Sequence, residues 1–128
     1  MPAQTLQGES YLTMELQITE SVQDRQYAVL TVEGRLDTTT ASDLKVAIKR
    51  LAQTGHRQVI VDLDGVPFID SSGLAALVSG LKTMRDAGGS LTLARLNDQA
   101  RTVFKVTLLD RVFEFYPDVA SAVSALLD

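Results

Sequence analysis

Gln58-Val59-Ile60-Val61-Asp62-Leu63-Asp64-Gly65-Val66-Pro67-Phe68-Ile69-Asp70-Ser71-Ser72-Gly73-Leu74 is the stretch that decides the fold. Gln58 to Leu63 is a β-rich apolar run that barely alternates, the mark of an inner parallel strand covered on both faces. From about Ser71 the spacing changes. Leu74, Leu77, Val78, Leu81 and Met84 or Arg85 recur at helical intervals,. Gly88-Gly89 closes that helix, and Leu91 to Leu96 reads as the next strand. Strand, helix, strand predicts a parallel crossover unit.

Working toward the N-terminus, Leu44, Ala47, Ile48 and Leu51 fall on one helical face, with Asp43, Lys45, Lys49 and Arg50 beside them,. Thr40 with Asp43 predicts a capping box in which Asp replaces Glu, and Gly55 a stop. Tyr27 to Glu33 reads as a strand ended by Gly34. Met14, Leu16 and Ile18 alternate with Glu15 and Gln17, a strand with one wet face,. The short polar spacer between these two strands suits an antiparallel hairpin. Toward the C-terminus, Asn97-Asp98 caps a shorter helix bearing Ala100, Val103 and Phe104, and Val112 to Phe115 reads as a short strand. Pro117 suits the first turn of a last helix carrying Val119, Ala122, Val123, Leu126 and Leu127,. The expected fold is α/β: a mixed, mostly parallel sheet with an antiparallel N-terminal edge hairpin and about four helices. Residues 1–12 read as a polar extension and 13–128 as one domain.

Composition narrows the function. The 128 residues are 45% hydrophobic and 22% charged, which is one globular domain,. The longest apolar run, Leu74 to Val78, is far short of the roughly 18 residues of a spanning helix, so membrane insertion is not expected,. Met1-Pro2-Ala3-Gln4-Thr5 has neither the charged nor the apolar region of a secretory leader, which points to the cytoplasm,. Net charge is −4 with no basic cluster, which argues against nucleic acid,. There is no cysteine and a single histidine, His56, so neither a thiolate centre nor a multi-histidine metal site is expected,. No phosphate loop, nucleophile elbow or zinc motif occurs. The chain reads as a non-enzyme with no cofactor and no metal.

Two strand-to-helix junctions carry the chemistry. In Asp70-Ser71-Ser72-Gly73, any of the first three side chains is able to cap the helix,. A cap alone does not need two serines, and Gly73 inside a first turn costs about 1 kcal/mol relative to Ala. Glycine there fits a close approach by another backbone or by a partner. A hydroxyl at a helix start also tolerates a phosphate, whose charge the helix N-terminus stabilises. The second junction is Gly34-Arg35-Leu36-Asp37-Thr38-Thr39-Thr40-Ala41. In a parallel sheet both junctions lie at the same end, so Asp37 and Ser71 are expected to share a surface. A rival reading is Asp62-Leu63-Asp64-Gly65, similar to the nucleophile motif of haloacid dehalogenase-like phosphatases, in which carboxylates bind Mg²⁺. That family needs a later acidic pair, and none follows Asp64.

The sequence resembles the anti-sigma factor antagonists, the single-domain members of the STAS group. The resemblance rests on four blocks: Val32-Glu33-Gly34-Arg35-Leu36-Asp37 with Ala41, Val59 to Leu63, Phe68-Ile69-Asp70-Ser71-Ser72-Gly73-Leu74, and the terminal strand and helix with Ala122, Val123 and Leu126. It implies a bacterial partner-switching protein, with Ser71 as the phosphorylation site. It further implies an anti-sigma factor with a histidine-kinase-like serine kinase fold as partner, and a metal-dependent serine phosphatase that reverses the mark. Asp37 is then a docking residue, with Asp70, Ser72, Gly73, Ser79 and Lys82 as further partner-binding positions. Leu108 stands where many relatives have Gly. Related domains serve instead as constitutive subunits of larger assemblies, such as stressosome scaffolds or lipid-transport accessory proteins, which leaves a second reading.

Overall fold

The computed structural model describes residues 16–22 and 27–127. The expected extension over 1–12, the start of the first strand at Met14 and the hairpin spacer lie outside them. The elements are β1 (Leu16–Val22), β2 (Tyr27–Gly34), α1 (Ala41–Gln53), β3 (Gln58–Gly65), α2 (Ser71–Asp86), β4 (Ser90–Ala94), α3 (Asp98–Val106), a 3₁₀ turn (Leu109–Arg111), β5 (Phe115–Tyr116) and α4 (Val119–Leu127). The five strands among the described residues form one sheet in chain order. β1 pairs with β2 antiparallel, and every later pair is parallel.

Chain-order strands have a consequence for the layers. Successive crossovers of the same hand, stepping in one direction, put their helices on one face. Ala28, Leu30, Val32, Val59, Val61, Leu63, Leu91 and Leu93 accordingly pack under α1, α2 and α3 in the main core. Among the described residues the terminal helix covers the other face, where Ala122 of α4 meets Val29, Ile60 and Ala94. This two-sided cover explains why β3 shows little alternation: Val59 to Leu63 are all buried,. Gly80 lets the two long helices touch, since a Cβ there would press on Ile48.

Three local expectations are corrected. Thr40 does not cap α1: its buried hydroxyl donates to the Arg35 carbonyl at 2.8 Å and accepts the Asp37 N–H at 3.0 Å. α4 begins two residues after Pro117, and the Asp118 carboxylate caps it by accepting the Ser121 N–H at 2.7 Å. The last strand is only Phe115–Tyr116, because Val112 closes the 3₁₀ turn. Leu108 enters that turn with φ 64, backbone space that glycine occupies freely,. Phe104 is held edge-on by Phe113 and Phe115, with centroids 5.5 and 5.2 Å away,.

Candidate functional site

Both junctions emerge at the same end of the sheet, and they are stitched together. β2 and β3 shift register between Thr31 and Glu33, and their ladder ends with Glu33 opposite Gly65. They meet once more in an isolated parallel bridge between Leu36 and Ile69. The Leu36 N–H donates to the Phe68 carbonyl at 3.0 Å, and the Asp70 N–H donates to the Leu36 carbonyl at 3.2 Å. Gly73 lies under that bridge. A Cβ on it would collide with the Leu36 carbonyl oxygen and approach the Leu36 Cγ to 2.9 Å. The approach that the glycine permits is therefore intramolecular. Gly73 is buried against the chain's own loop and is not a surface position.

Asp70 caps α2. Its Oδ1 accepts the Ser72 N–H at 2.8 Å and the Gly73 N–H at 3.0 Å, satisfying donors that the first turn leaves free. The two serines then differ. Ser72 is half-buried, and its hydroxyl is 3.1 Å from that of Thr38, which ties the helix start to the neighbouring loop. Ser71, the first residue of α2, is exposed, and its hydroxyl has no hydrogen bond among the described residues.

Asp37 shapes its own loop. Oδ1 accepts the Thr39 N–H at 3.0 Å and the Thr39 hydroxyl at 2.8 Å, while Oδ2 lies 3.6 Å from Arg35 Nε. The Thr39 hydroxyl is the largest cause holding the Asp37 carboxyl below the usual aspartate value; partial burial opposes it, and the Thr39 N–H, the Thr40 hydroxyl and Arg35 assist. The Arg35 guanidinium stacks over Phe68, 4.3 Å from the ring centroid,. This adds a third tie between the two loops.

Beyond the junctions, the exposed stripe of α2 runs Ser71, Ala75, Val78, Lys82, about 16 Å of helix at 1.5 Å per residue. Lys82 is on it, paired with Asp86 at 3.4 Å. Ser79 is half-buried and off its centre. The apolar spacing places Val78 with Leu74, Leu77 and Leu81, but Val78 is exposed on this stripe, and Ala75 joins it. The signal was present, since four and seven residues from Ser71 is the same helical face.

The rival acidic motif has a different occupation. Asp62 is buried on β3, and Arg95 grips both its oxygens, at 3.1 and 2.8 Å. Asp64 is 3.7 Å from the same guanidinium. Among the described residues no cluster of three or more His, Cys, Asp or Glu is placed to hold a metal ion. His56 follows the end of α1, with Nδ1 3.0 Å from the Thr54 hydroxyl and 3.2 Å from the Leu51 carbonyl. No helix among the described residues is long and apolar enough to cross a membrane.

The STAS domain family model matches residues 13–122. The anti-sigma-B factor antagonist of Staphylococcus aureus is 32% identical over 94 residues, covering 73% of this chain and 86% of that protein. The crystal structure of an anti-sigma factor antagonist from Mycobacterium paratuberculosis superposes with a TM-score of 0.80 at 25% identity, over 89% of this chain and 96% of that one. The fold also recurs within the murine anion transporter Slc26a9, with a TM-score of 0.68 at 17% identity, over 89% of this chain and 22% of the transporter.

Proposed function

This chain belongs to the STAS domain family, and from that premise we propose that it is an anti-sigma factor antagonist working by partner switching in the bacterial cytoplasm. Unphosphorylated, it binds an anti-sigma factor with a histidine-kinase-like serine kinase fold, and so frees a sigma factor. Phosphorylation of Ser71 ends that binding, and a metal-dependent serine phosphatase restores it. The chain itself catalyses nothing.

The observation that carries this reading is the contrast between the serines. Ser71 is exposed, and its hydroxyl has no partner among the described residues, while Ser72 is engaged with Thr38. A phosphate on Ser71 adds about −1.5 to −2 charge beside the Asp70 carboxylate. Its position at the helix start needs no unfolding, because the macrodipole favours an anion there by about 0.3–1 kcal/mol. The change is thus delivered to a docking face rather than to the core. That face comprises the Asp37 loop, Asp70, Ser72 and the α2 stripe through Ala75, Val78 and Lys82, with Ser79 at its edge. Gly73 serves it from below by seating Leu36.

The test is a pull-down from the source cell's lysate with wild type, Ser71→Ala and Ser71→Asp as baits, with and without ATP, and Ser71 occupancy read by mass spectrometry. The expected result is a kinase-like partner retained by Ser71→Ala, released from wild type by ATP, and not captured by Ser71→Asp. One ATP-insensitive complex on all three baits overturns the switch and favours a constitutive subunit of a larger assembly.

A further inference from the structure

The loop that presents Ser71 is held on two edges, one by the Leu36 backbone and the other by side chains. Phe68, Ile69 and Asp70 are spaced like a strand. Phe68 and Asp70 turn their backbone groups to Leu36. Ile69 turns its own to the opposite edge, the side on which β4 flanks β3. β4 has already ended there, at Ala94, and the chain turns through Arg95 with φ 61 into α3. The empty place is filled by a side chain. Gln99 Oε1 accepts the Ile69 N–H at 3.0 Å, and Gln99 Nε2 donates to the Ile69 carbonyl at 2.9 Å. Its carboxamide does what a peptide unit of a neighbouring strand does, and this orientation alone matches donor to acceptor on both contacts.

Asn97 extends the grip. Its Nδ2 donates to the Val66 and Pro67 carbonyls, both at 3.2 Å, while its Oδ1 caps α3 through the Ala100 N–H at 2.8 Å. Every carbonyl from Val66 to Asp70 thus has a donor: Asn97 for two, Leu36, Gln99, and the Leu74 N–H in α2. Without the Gln99 and Asn97 side chains, the backbone from Phe68 to Asp70 keeps hydrogen bonds only to Leu36 and to the start of α2 among the described residues.

We propose that Gln99, assisted by Asn97, is a positioning residue for the phosphoacceptor: it sets where the backbone enters α2, and therefore where the Ser71 hydroxyl stands when the kinase docks. The proposal rests on the phosphoacceptor reading of Ser71. It assigns α3, which carries none of the docking residues, a part in the transfer step rather than in affinity.

The experiment uses the full chain and its Gln99→Ala, Gln99→Glu and Asn97→Asp variants, each first checked for cooperative urea unfolding. In one arm, hydrogen exchange of the Ile69, Ser72 and Gly73 amides is followed by NMR with no partner present. Gln99→Ala is expected to raise Ile69 amide exchange on the order of tenfold, with α1 amides unchanged. Gln99→Glu should lose protection at neutral pH, where its carboxylate faces the Ile69 carbonyl. It should regain protection below about pH 4, where the protonated acid again offers one donor and one acceptor. Asn97→Asp keeps the α3 cap and replaces the donor by a carboxylate oxygen facing the Val66 and Pro67 carbonyls, which separates the grip from helix stability,. In the other arm, the kinase recovered on Ser71→Ala bait phosphorylates each variant. The expectation for Gln99→Ala is a kcat lower by roughly tenfold with KM changed by less than about threefold. Unchanged exchange, or a raised KM with unchanged kcat, overturns the proposal. If wild type takes no phosphate at Ser71, the switch itself fails, and the exchange arm alone decides whether Gln99 holds the loop.

Discussion

The Leu36 carbonyl oxygen occupies the space that a Cβ on Gly73 would need, and the same oxygen accepts the Asp70 N–H at 3.2 Å. One atom therefore joins the β2 junction to the start of α2. Gly73→Ala gains about 1 kcal/mol of helix propensity and loses this seat. The net expectation is a destabilisation of about 1–3 kcal/mol, the range of overpacked cores, read from the urea midpoint. An equal or higher midpoint shows that the Leu36 loop moves aside without cost.

Asp37 is expected to act through its turn. Asp37→Ala removes the acceptor of the Thr39 N–H and hydroxyl and should weaken binding to the anti-sigma partner tenfold or more by calorimetry, about 1.4 kcal/mol. Asp37→Asn retains an Oδ1 acceptor and should retain most of the affinity if loop shape is what the partner reads. Unchanged affinity in Asp37→Ala removes Asp37 from the interface.

Among the described residues, Asp37 is held below the usual aspartate value, chiefly by the Thr39 hydroxyl, and so is Asp118, chiefly by the Ser121 N–H at the start of α4. A depressed native pKa means that the unfolded chain takes up protons first as pH falls. The stability these groups add is therefore complete above the unfolded value of about 3.9 and is lost as pH drops through their native values. Carboxyl carbon NMR titrations should give midpoints under 3.9 for both groups. A midpoint at or above it contradicts the turn geometry at that residue.

Val78 is 37% exposed on the Ser71 stripe, and Val106 is 76% exposed at the far end of α3. Val78→Asp should reduce capture of the partner by at least roughly tenfold, since a charge then meets the desolvated part of the interface. Val106→Asp should not. Both should leave the thermal midpoint nearly unchanged, as surface substitutions do. Equal capture by the two variants places the docking face off this side of α2.

Ser72→Ala removes a single hydroxyl contact with Thr38, so its expected stability loss is at most about 1 kcal/mol. It should leave Ser71 phosphorylation intact, while Ser71→Ala abolishes it. Mass-spectrometric mapping of phosphate onto Ser72 in the wild type reverses the assignment of the two serines.

Sequence periodicity alone determined the element order, the inner position of β3 and the shared location of the two junctions. Buried runs and helical stripes express what each segment must hide, and the sheet follows from that. Tertiary structure decided what required knowing who stands opposite whom. Thr40 had the spacing of a cap and became a loop anchor, because Arg35 and Asp37 came within reach of its hydroxyl. Gly73 fitted a close approach by either a backbone or a partner, and the fold supplies the backbone of Leu36. Gln99 carried no signal at all, since an amide standing in for a strand is visible only once β4 has ended beside Ile69. Hydrogen bonds between residues about 30 apart depend on the closing geometry of the whole sheet, which no local pattern encodes.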